Sequence, residues 1–447
     1  MDSVNDPVKQ RVRDRKEVAV AKLAKVPRHQ GLKLEGKRIV LLLQGGGALG
    51  AYHVGAFEAL ANECRKAENN IDWVAGISIG AINSAVIAAP KSGDAVRELE
   101  LLWDELLWPE YPPFDYTGLM RAWLPWPWLS VIEPKYMDWT WMAFNPWGHA
   151  NFFSSRVLNL FRNPWVQQWF RKLDRHELAF YGTRRFKNTL DRHVNWEALN
   201  ERKNTRLSLG ATHVCDGEVE FFDSRDMLLN ANHVRASGAL PPAFPPIQIG
   251  KEWYFDGGVS NNTPIEVLAK LLFKSKKNTL VFLVDLWDRK NDVLPESFED
   301  VLWRLKSIQY GSRKKAAEIV VERYEHRAEK KGQLKDQIPR LEVCQVMLEH
   351  PDDEPQFSFA DADFSRSTFR DLRSQGFKDM IEAIHYPERV THDQQGHLLR
   401  HHYATLYRHG SEGKWKVPRV QHQHRGSNHR DLPSALKLWK SWCEQFA

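Results

Sequence analysis

The hydrophobic positions of this 447-residue chain fall into short uninterrupted runs, separated by glycine-rich or polar segments. Such runs, bounded by turn residues, are typical of strands that are buried on both faces of a parallel sheet. The predicted strands are Arg38–Leu43, Ile71–Ala75, Arg206–Ala211, Trp253–Phe255 and Leu280–Leu286. Stretches with helical spacing follow the first two, at Ala51–Cys64 and Ala81–Ala89. This alternation predicts an α/β fold with a mainly parallel central sheet.

A serine stands between the second predicted strand and its helix, within the sequence Gly76-Ile77-Ser78-Ile79-Gly80. A serine on a sharp strand-to-helix turn holds its hydroxyl clear of the backbone. Glycines flank it because a side chain at either position would collide with the neighbouring strand or helix. The pattern predicts a nucleophile elbow with Ser78 at its tip.

Glycines also follow the first predicted strand, where Gly45, Gly46 and Gly47 precede a helix that starts at Ala51. Strand, glycine turn and helix together aim free backbone N–H groups into one small space. A phosphate or the oxyanion of an acyl-transfer intermediate would bind there. The chain lacks the P-loop pattern and the acidic residue that a dinucleotide site requires. We therefore favour an oxyanion hole over a nucleotide loop.

A carboxylate follows the aromatic strand Trp253–Phe255, in the sequence Asp256-Gly257-Gly258. Two glycines after a strand-end aspartate allow it to approach another backbone closely. In this order the glycine loop, the serine turn and the D-G-G sequence resemble the patatin-like phospholipase family, and the segment His233–Pro245 is similar to the one that leads into the family's aspartate strand. The resemblance covers roughly residues 38–288.

This resemblance implies a three-layer patatin-like fold and a serine–aspartate dyad in which no histidine takes part. It assigns Ser78 as nucleophile and Asp256 as base, and needs no metal or organic cofactor. The glycines that it carries over are the oxyanion donors Gly45, Gly46 and Gly47, the elbow residues Gly76 and Gly80, and the D-G-G residues Gly257 and Gly258. One departure is Leu49, because family members often carry arginine or lysine in this loop. A loop cation that contacts a lipid phosphate is therefore not expected, whereas the backbone donors are unaffected.

The chain is predicted to comprise a basic N-terminal arm (1–37), a catalytic domain (38–288) and a C-terminal domain with a histidine-rich tail (289–447). The sequences Lys306–Arg313 and Asp363–Ser367 resemble an additional domain found on a bacterial branch of patatin-like proteins. We expect this extension to be helical or mixed.

A tryptophan- and proline-rich insert, at about 103–169, lies between the two candidate catalytic residues and holds ten of the 18 tryptophans. Dense prolines exclude a long regular helix, and a loop-rich excursion suits a lid or a substrate-channel wall at the mouth of the Ser78 cavity. Tryptophan also favours lipid–water interfaces. The alternative is that these rings pack the insert onto the main sheet. Both interpretations stay open.

The net charge of +6 is mild, and much of the basic excess lies in the N-terminal arm. That arm is either a solvated segment or a helix attracted to an anionic lipid or granule surface. Nucleic acid is not an expected partner, because no recognised binding module accompanies the charge. The four cysteines are widely spaced and no secretory signal or membrane span is visible, so we expect a cytoplasmic protein that could be peripheral to a membrane. The oligomeric state is not predicted.

Histidines are frequent near the C-terminus, but their spacing matches no metal-ligand pattern, so no metal site is predicted. The nine residues are His385, His392, His397, His401, His402, His409, His422, His424 and His429. His53 is nearer the candidate chemistry, and we expect a structural or solvent role for it rather than a catalytic one.

Three functions are compatible with the sequence. The favoured one is a serine acyl hydrolase of the patatin type that cleaves ester bonds of phospholipids or related lipids through an acyl-enzyme. The second is a hydrolase or acyltransferase for another ester, such as an intracellular polyester. The third is a catalytically silent protein that binds lipid or granules and acts as a regulator.

Overall fold

The structure is a computed structural model of the chain. It describes residues 31–108, 151–155, 179–201, 204–268, 277–288, 294–311, 319–321, 323–324, 326, 339–348, 360–385, 391–392, 398–399 and 404–408. All of them belong to the first of two compact units, Met1–His409. The second unit, Gly410–Ala447, lies outside the described residues.

The described residues contain a nine-stranded sheet and two short two-stranded ribbons. Numbered along the chain, the strands are β1 Arg38–Leu43, β2 Ile71–Ile77, β3 Ser154–Ser155, β4 Tyr181–Gly182, β5 Arg206–His213, β6 Val219–Asp223, β7 Ile247–Ile249, β8 Glu252–Asp256, β9 Thr279–Asp285, β10 Leu341–Met347, β11 Thr391–His392, β12 Leu398–Leu399 and β13 Ala404–Arg408. The sheet order is β13-β10-β9-β1-β2-β5-β8-β7, with β6 also paired to β5. The five strands from β10 to β5 run parallel, and antiparallel pairs occur only towards the two edges.

Helices follow or precede most of these strands. In the described residues they are α1 Ala51–Lys66, α2 Ile79–Ala88, α3 Ala95–Leu106, α4 Arg184–His193, α5 Trp196–Asn200, α6 Ala231–Ser237, α7 Phe298–Tyr310 and α8 Arg366–His385. Single 3₁₀ turns lie at Gly47–Gly50, Gly257–Val259, Pro264–Val267 and Ala360–Ala362. Side chains fix several helix starts, as where the Ser297 hydroxyl and the Asp300 carboxylate form a capping box on α7.

The sheet is the middle layer of three. Successive side chains of a strand point to opposite faces, so Ile39, Leu41 and Leu43 of β1 enter one hydrophobic cluster with the helices α1, α2 and α8. Val40 and Leu42 enter a second cluster on the other face. That cluster also holds residues of the turn after the D-G-G sequence and of the segment 319–324. The predicted three-layer α/β fold with a mainly parallel sheet is confirmed.

Elements beyond residue 288 pack directly on this sheet and its helices. β10 pairs in parallel with the whole of β9. α8 crosses α1 where Gly55 and Gly376 lie, and a methyl group on Gly376 would be 2.1 Å from the Tyr52 carbonyl oxygen. The two backbones therefore touch, which only glycine allows. The boundary at residue 288 stays a prediction, and these contacts join segments on its two sides.

The five predicted strands and two predicted helices are confirmed, with ends that differ by at most two residues. Trp103, the first tryptophan of the predicted insert, is fully buried in α3, where its indole N–H donates to Asn83 Oδ1 at 3.0 Å. This ring is part of the core. The proline- and tryptophan-rich centre of the insert, the basic arm up to residue 30 and nearly all of the histidine-rich tail lie outside the described residues. Within the described ranges, no helix is both long and apolar enough to cross a bilayer.

Candidate active site

Ser78 forms the turn between β2 and α2. Because β2 ends at Ile77 and α2 begins at Ile79, Ser78 alone reverses the chain, with φ 56° and ψ −124°. Such a backbone conformation costs on the order of 1–3 kcal/mol for a residue with a Cβ atom, and it is common where function requires it. The Ser78 N–H donates to Ser237 Oγ at 3.0 Å, and the Ser237 hydroxyl donates to the Gly210 carbonyl at 2.5 Å. These bonds hold the strained turn against β5.

The glycines on either side of Ser78 are required by close backbone contacts. A methyl group on Gly76 would lie 2.1 Å from the Gly80 carbonyl oxygen. A methyl group on Gly80 would lie 2.2 Å from the Leu43 carbonyl oxygen at the end of β1. Both distances are far shorter than van der Waals contact. A side chain at either position would therefore collide with the neighbouring backbone.

The glycine loop leaves the sheet next to Ser78. β1 and β2 are parallel neighbours with Leu43 opposite Gly76, so the segments that follow them start side by side. Gly47 has φ 55°, a left-handed conformation that glycine adopts without strain. A methyl group on Gly45 would lie 3.1 Å from the Ser78 Cβ atom. The loop and the serine are thus in direct contact.

The three loop N–H groups differ in their hydrogen bonding. The Gly45 N–H donates to the Asn262 carbonyl at 3.3 Å, so in this conformation it is already engaged. Among the described residues, the N–H groups of Gly46 and Gly47 have no acceptor. Both residues are partly exposed, whereas Gly45 is buried. The backbone donors that remain for an oxyanion are therefore those of Gly46 and Gly47.

Asp256 reaches the same edge of the sheet from an antiparallel strand. It is the last residue of β8 and pairs with Ala211 of β5, while Gly210 of β5 pairs with Ile77 of β2. The end of β8 is therefore level with the end of β2. A methyl group on Gly257 would lie 2.7 Å from the Gly210 carbonyl oxygen, so glycine is needed for the turn to cross β5.

The Asp256 carboxyl is 2% exposed, and this burial raises its pKa to about 7. The Ser78 hydroxyl and the Gly258 N–H both interact with the carboxylate and lower the pKa, but they offset only part of the desolvation. The Gly258 N–H donates to Asp256 Oδ1 at 2.8 Å. A carboxylate of raised basicity thus lies within reach of a serine hydroxyl.

Asn262 joins the glycine loop to the D-G-G turn. Its side-chain Nδ2 donates to the Gly45 carbonyl at 2.8 Å and to the Tyr310 carbonyl at 3.1 Å. Its Oδ1 fills the space beside Gly45 and Gly258, where a methyl group would lie 2.2 Å and 2.9 Å away. Asn262 therefore fixes the distance between the candidate oxyanion loop and the candidate base.

A second set of side chains holds the loop from the β9 side. The buried Gln44 side chain donates to the Tyr310 carbonyl at 3.0 Å and accepts from the Leu286 N–H at 2.7 Å. The Trp287 indole N–H donates to the Gly45 carbonyl at 3.0 Å. Burial, assisted by the charges of Asp256 and Asp361, raises the pKa of the Tyr310 hydroxyl to about 12. Helix α7, which ends at Tyr310, is thus attached to the site.

His53 and Leu49 both have buried side chains, and the Leu49 N–H donates to the Gly46 carbonyl at 3.1 Å within the glycine loop. His53 is fully buried on α1, and desolvation lowers its pKa to about 3, so the ring is neutral. This environment agrees with the structural role expected for it. Leu49 is buried in the core beneath the loop. The part of the chain that the structure describes contains no group of three or more histidine, cysteine, aspartate or glutamate side chains that could hold a metal ion.

The structure brings Ser78, Asp256 and the glycine loop together, as the order of the motifs predicts. Asn262, Gln44 and Ser237 support the site, although the sequence motifs alone do not assign them this role. Each lies within or next to a motif. The usable signal in the sequence was the polar amide residue Gln44 between an apolar strand and three glycines. The contributions of Trp287 and Tyr310 carry no local signal, because they depend on tertiary packing.

The sequence also matches a known protein family. The family model described as patatin-like phospholipase matches residues 41–269, which is more than half of the chain and includes both Ser78 and Asp256. The chain therefore belongs to the patatin-like phospholipase family. This confirms the resemblance inferred from the three motifs.

Individual known proteins match the chain at low sequence identity or over a small part of their length. Over 126 residues the chain is 30% identical to the mouse (Mus musculus) patatin-like phospholipase domain-containing protein 2, a match that covers 26% of this chain and 23% of the mouse protein. Among solved structures, VipD from Legionella pneumophila is 16% identical, with 79% of this chain and 73% of VipD covered and a TM-score of 0.30. In the ExoU–SpcU complex of Pseudomonas aeruginosa, the matched chain is 14% identical. The match covers 84% of this chain and 54% of the matched chain, with a TM-score of 0.26.

Proposed function

We propose that the protein is a serine acyl hydrolase that cleaves ester bonds of phospholipids or related lipids through a dyad of Ser78 and Asp256. The single observation that carries this proposal is the position of the Ser78 hydroxyl. It lies on a strained strand-to-helix turn, next to a buried carboxylate of raised pKa and to two N–H groups without an acceptor among the described residues. Membership of the family supports the choice of a lipid ester.

In the first half of the reaction, Asp256 accepts the hydroxyl proton as Ser78 Oγ attacks the ester carbonyl carbon. A serine hydroxyl is a poor nucleophile until a base takes its proton. The carbonyl oxygen becomes an oxyanion that accepts hydrogen bonds from the N–H groups of Gly46 and Gly47. The carbon–oxygen bond to the alcohol then breaks, and protonated Asp256 returns the proton to the leaving alcohol. An acyl-Ser78 ester remains.

In the second half, Asp256 accepts a proton from water, and the resulting hydroxyl attacks the acyl-Ser78 carbonyl. The same loop N–H groups stabilise the second oxyanion, and the acid is released as Ser78 recovers its proton from Asp256. The loss of one such donor in other enzymes typically costs about 100- to 1,000-fold in rate. All protein groups in this scheme belong to the described residues, and none of its steps uses a cofactor.

The two alternatives from the sequence remain distinct proposals. An acyltransferase or a polyester hydrolase would use the same residues on another ester. A catalytically silent regulator would have no use for a strained Ser78 held next to Asp256, and such strain persists only where the surrounding structure maintains it. We therefore favour an active enzyme.

The test is the release of fatty acid from a panel of phospholipids, lysophospholipids and neutral esters, with an intracellular polyester as a further substrate. We expect wild type to release acid from at least one lipid and Ser78→Ala to be inactive on it. Ser92→Ala is the matched control, because Ser92 lies on a surface turn that is separate from the site. Release from the polyester alone would favour the second function, and no release from any ester would favour the third.

A further inference from the structure

Helix α7 carries an apolar stripe on its exposed side, formed by Phe298, Val301, Leu305 and Ile308. Their spacing of three, four and three residues places them on one side of a helix. Their exposed fractions are 76%, 49%, 59% and 42%. Leu294, which precedes the helix by four residues, is 84% exposed. Single exposed apolar residues are ordinary, but an aligned set on one helix indicates a binding surface.

The opposite side of α7 is already packed on the protein. Trp303 and Ser307 are buried, and the Trp303 ring contacts the Trp287 ring with centroids 5.0 Å apart. At 100° per residue, Leu305 lies about 200° around the helix from Trp303. The apolar stripe therefore points directly away from the domain.

The helix is connected to the candidate active site through three contacts. The carbonyl of Tyr310, its last residue, accepts hydrogen bonds from Gln44 and Asn262. Lys306 forms an ion pair with Asp361 at 2.6 Å. The Asp361 carbonyl oxygen in turn lies 2.1 Å from where a methyl group on Gly47 would be. The element that bears the apolar stripe is thus one of those that hold the glycine loop.

The shape of the apolar stripe fits a lipid surface better than a protein partner. It runs along one helix of about 20 Å and is a single side chain wide. A stable protein interface takes roughly 20–30 residues and ~800 Å² on each side. An amphipathic helix that lies in a lipid–water interface needs only a narrow row of inserted apolar side chains. At the start of the helix, the Asp300 carboxylate is bound to the Ser297 N–H in the capping box, away from the apolar stripe.

We propose that the apolar stripe of α7 inserts into the surface of a membrane or lipid aggregate and so brings the site to its substrate. The choice of a lipid surface as the occupant rests on the proposed function. Insertion would place lipid next to the element that supports the Gly45–Gly47 loop. This assigns interfacial docking to a helix that follows residue 288.

The experiment measures binding of the full chain to phosphatidylcholine vesicles by flotation, in a Ser78→Ala background so that no lipid is consumed. The assay is run at high salt, which screens electrostatic attraction between protein and vesicle. The binding that remains is due to insertion of apolar side chains. We expect Phe298→Ser/Leu305→Ser to reduce the partition coefficient by about tenfold or more, since two large apolar side chains no longer leave water. The matched control is Leu101→Ser/Leu228→Ser, which removes two exposed leucines elsewhere.

The control should retain binding within about twofold, and both double variants, with Ser78 restored, should hydrolyse a short soluble ester as wild type does. Equal binding by the stripe variant and wild type would overturn the proposal, as would an equal loss in the control or no binding by wild type. A stripe variant that converts a dimer to a monomer without affecting vesicle binding would instead assign the surface to a second copy. If vesicles bind through the apolar stripe but no Ser78-dependent hydrolysis of any ester is found, only the proposed function fails.

Discussion

At the scale of single residues, the burial of Asp256 decides whether the proposed dyad can work. An aspartate in water has a pKa of about 3.9 and is a weak base for a serine hydroxyl. Here desolvation raises the pKa to about 7, although Ser78 and the Gly258 N–H oppose the change. A base is most effective when its pKa lies near the working pH. In the proposed mechanism, the low exposure of this one carboxyl therefore takes the place of the histidine that serves as base in a Ser-His-Asp triad.

The pH dependence of the reaction follows from this pKa. The base acts in its ionised form, so protonation of Asp256 as the pH falls through about 7 should remove activity. With a short soluble ester, we expect kcat/KM to be level above pH 8 and to fall about tenfold per pH unit below 6. A fall that begins only near pH 4 would show that the pKa of Asp256 keeps the value of an aspartate in water and is not raised by burial. Asp256→Asn should be inactive across this pH range. Above pH 7, its free energy of unfolding should be no lower than that of wild type, because the substitution removes a buried charge.

At the scale of elements, the site consists of three chain reversals held in register by side chains. The turns after β1, β2 and β8 lie at one edge of the sheet because β5 aligns the ends of β2 and β8. Asn262 then joins the first turn to the third through its bond to the Gly45 carbonyl. In the proposed mechanism this residue touches no reacting atom, so we assign it a positioning role.

Asn262→Ala should lower kcat with little change in KM, because the glycine loop would lose its attachment to the D-G-G turn. A misplacement of about 1 Å costs on the order of 100-fold in other enzymes. The matched control is the adjacent Asn261→Ala, whose side chain accepts from the Thr263 N–H in the local turn and has no other partner among the described residues. Steady-state kinetics on a soluble ester would distinguish the two variants. Similar kcat values for both would contradict the positioning role.

Local patterns predicted the strands, the first two helices and the three motifs, because glycine spacing and apolar runs act over a few residues. They could not predict that the Gly45 N–H is engaged by the Asn262 carbonyl, which lies 217 residues further along the chain. They also left open where the chain after residue 288 would pack. Pairing of β10 with β9 and the glycine crossing of α1 and α8 arise only from tertiary structure.

At the scale of the whole molecule, the sheet and the site both depend on segments that follow the family match. β10 covers the edge of β9 that would otherwise be open, and α8 covers α1. An uncovered parallel edge strand leaves backbone groups and apolar side chains in water. The D-G-G turn and the glycine loop also lose the Tyr310 carbonyl without α7.

A chain that ends at residue 288 should therefore not fold into a stable catalytic unit. We expect it to aggregate or to lack a cooperative thermal transition, as measured by circular dichroism. A chain that ends at residue 409 is the matched control, since it retains the whole compact unit Met1–His409 and should melt cooperatively. A truncation at 288 that melts like the full chain would show that the domain boundary predicted from sequence is an independent folding boundary.

The acyl-enzyme on Ser78 is the central claim, and it can be measured directly. Turnover of the best lipid found in the substrate panel is stopped with acid within milliseconds to seconds, and the peptide that carries Ser78 is analysed by mass spectrometry. The account predicts that Ser78 carries the mass of the substrate's acyl chain in wild type and that Ser78→Ala carries none and releases no fatty acid. Fatty acid released by Ser78→Ala at the wild-type rate, or an acyl group found on another residue, would contradict it.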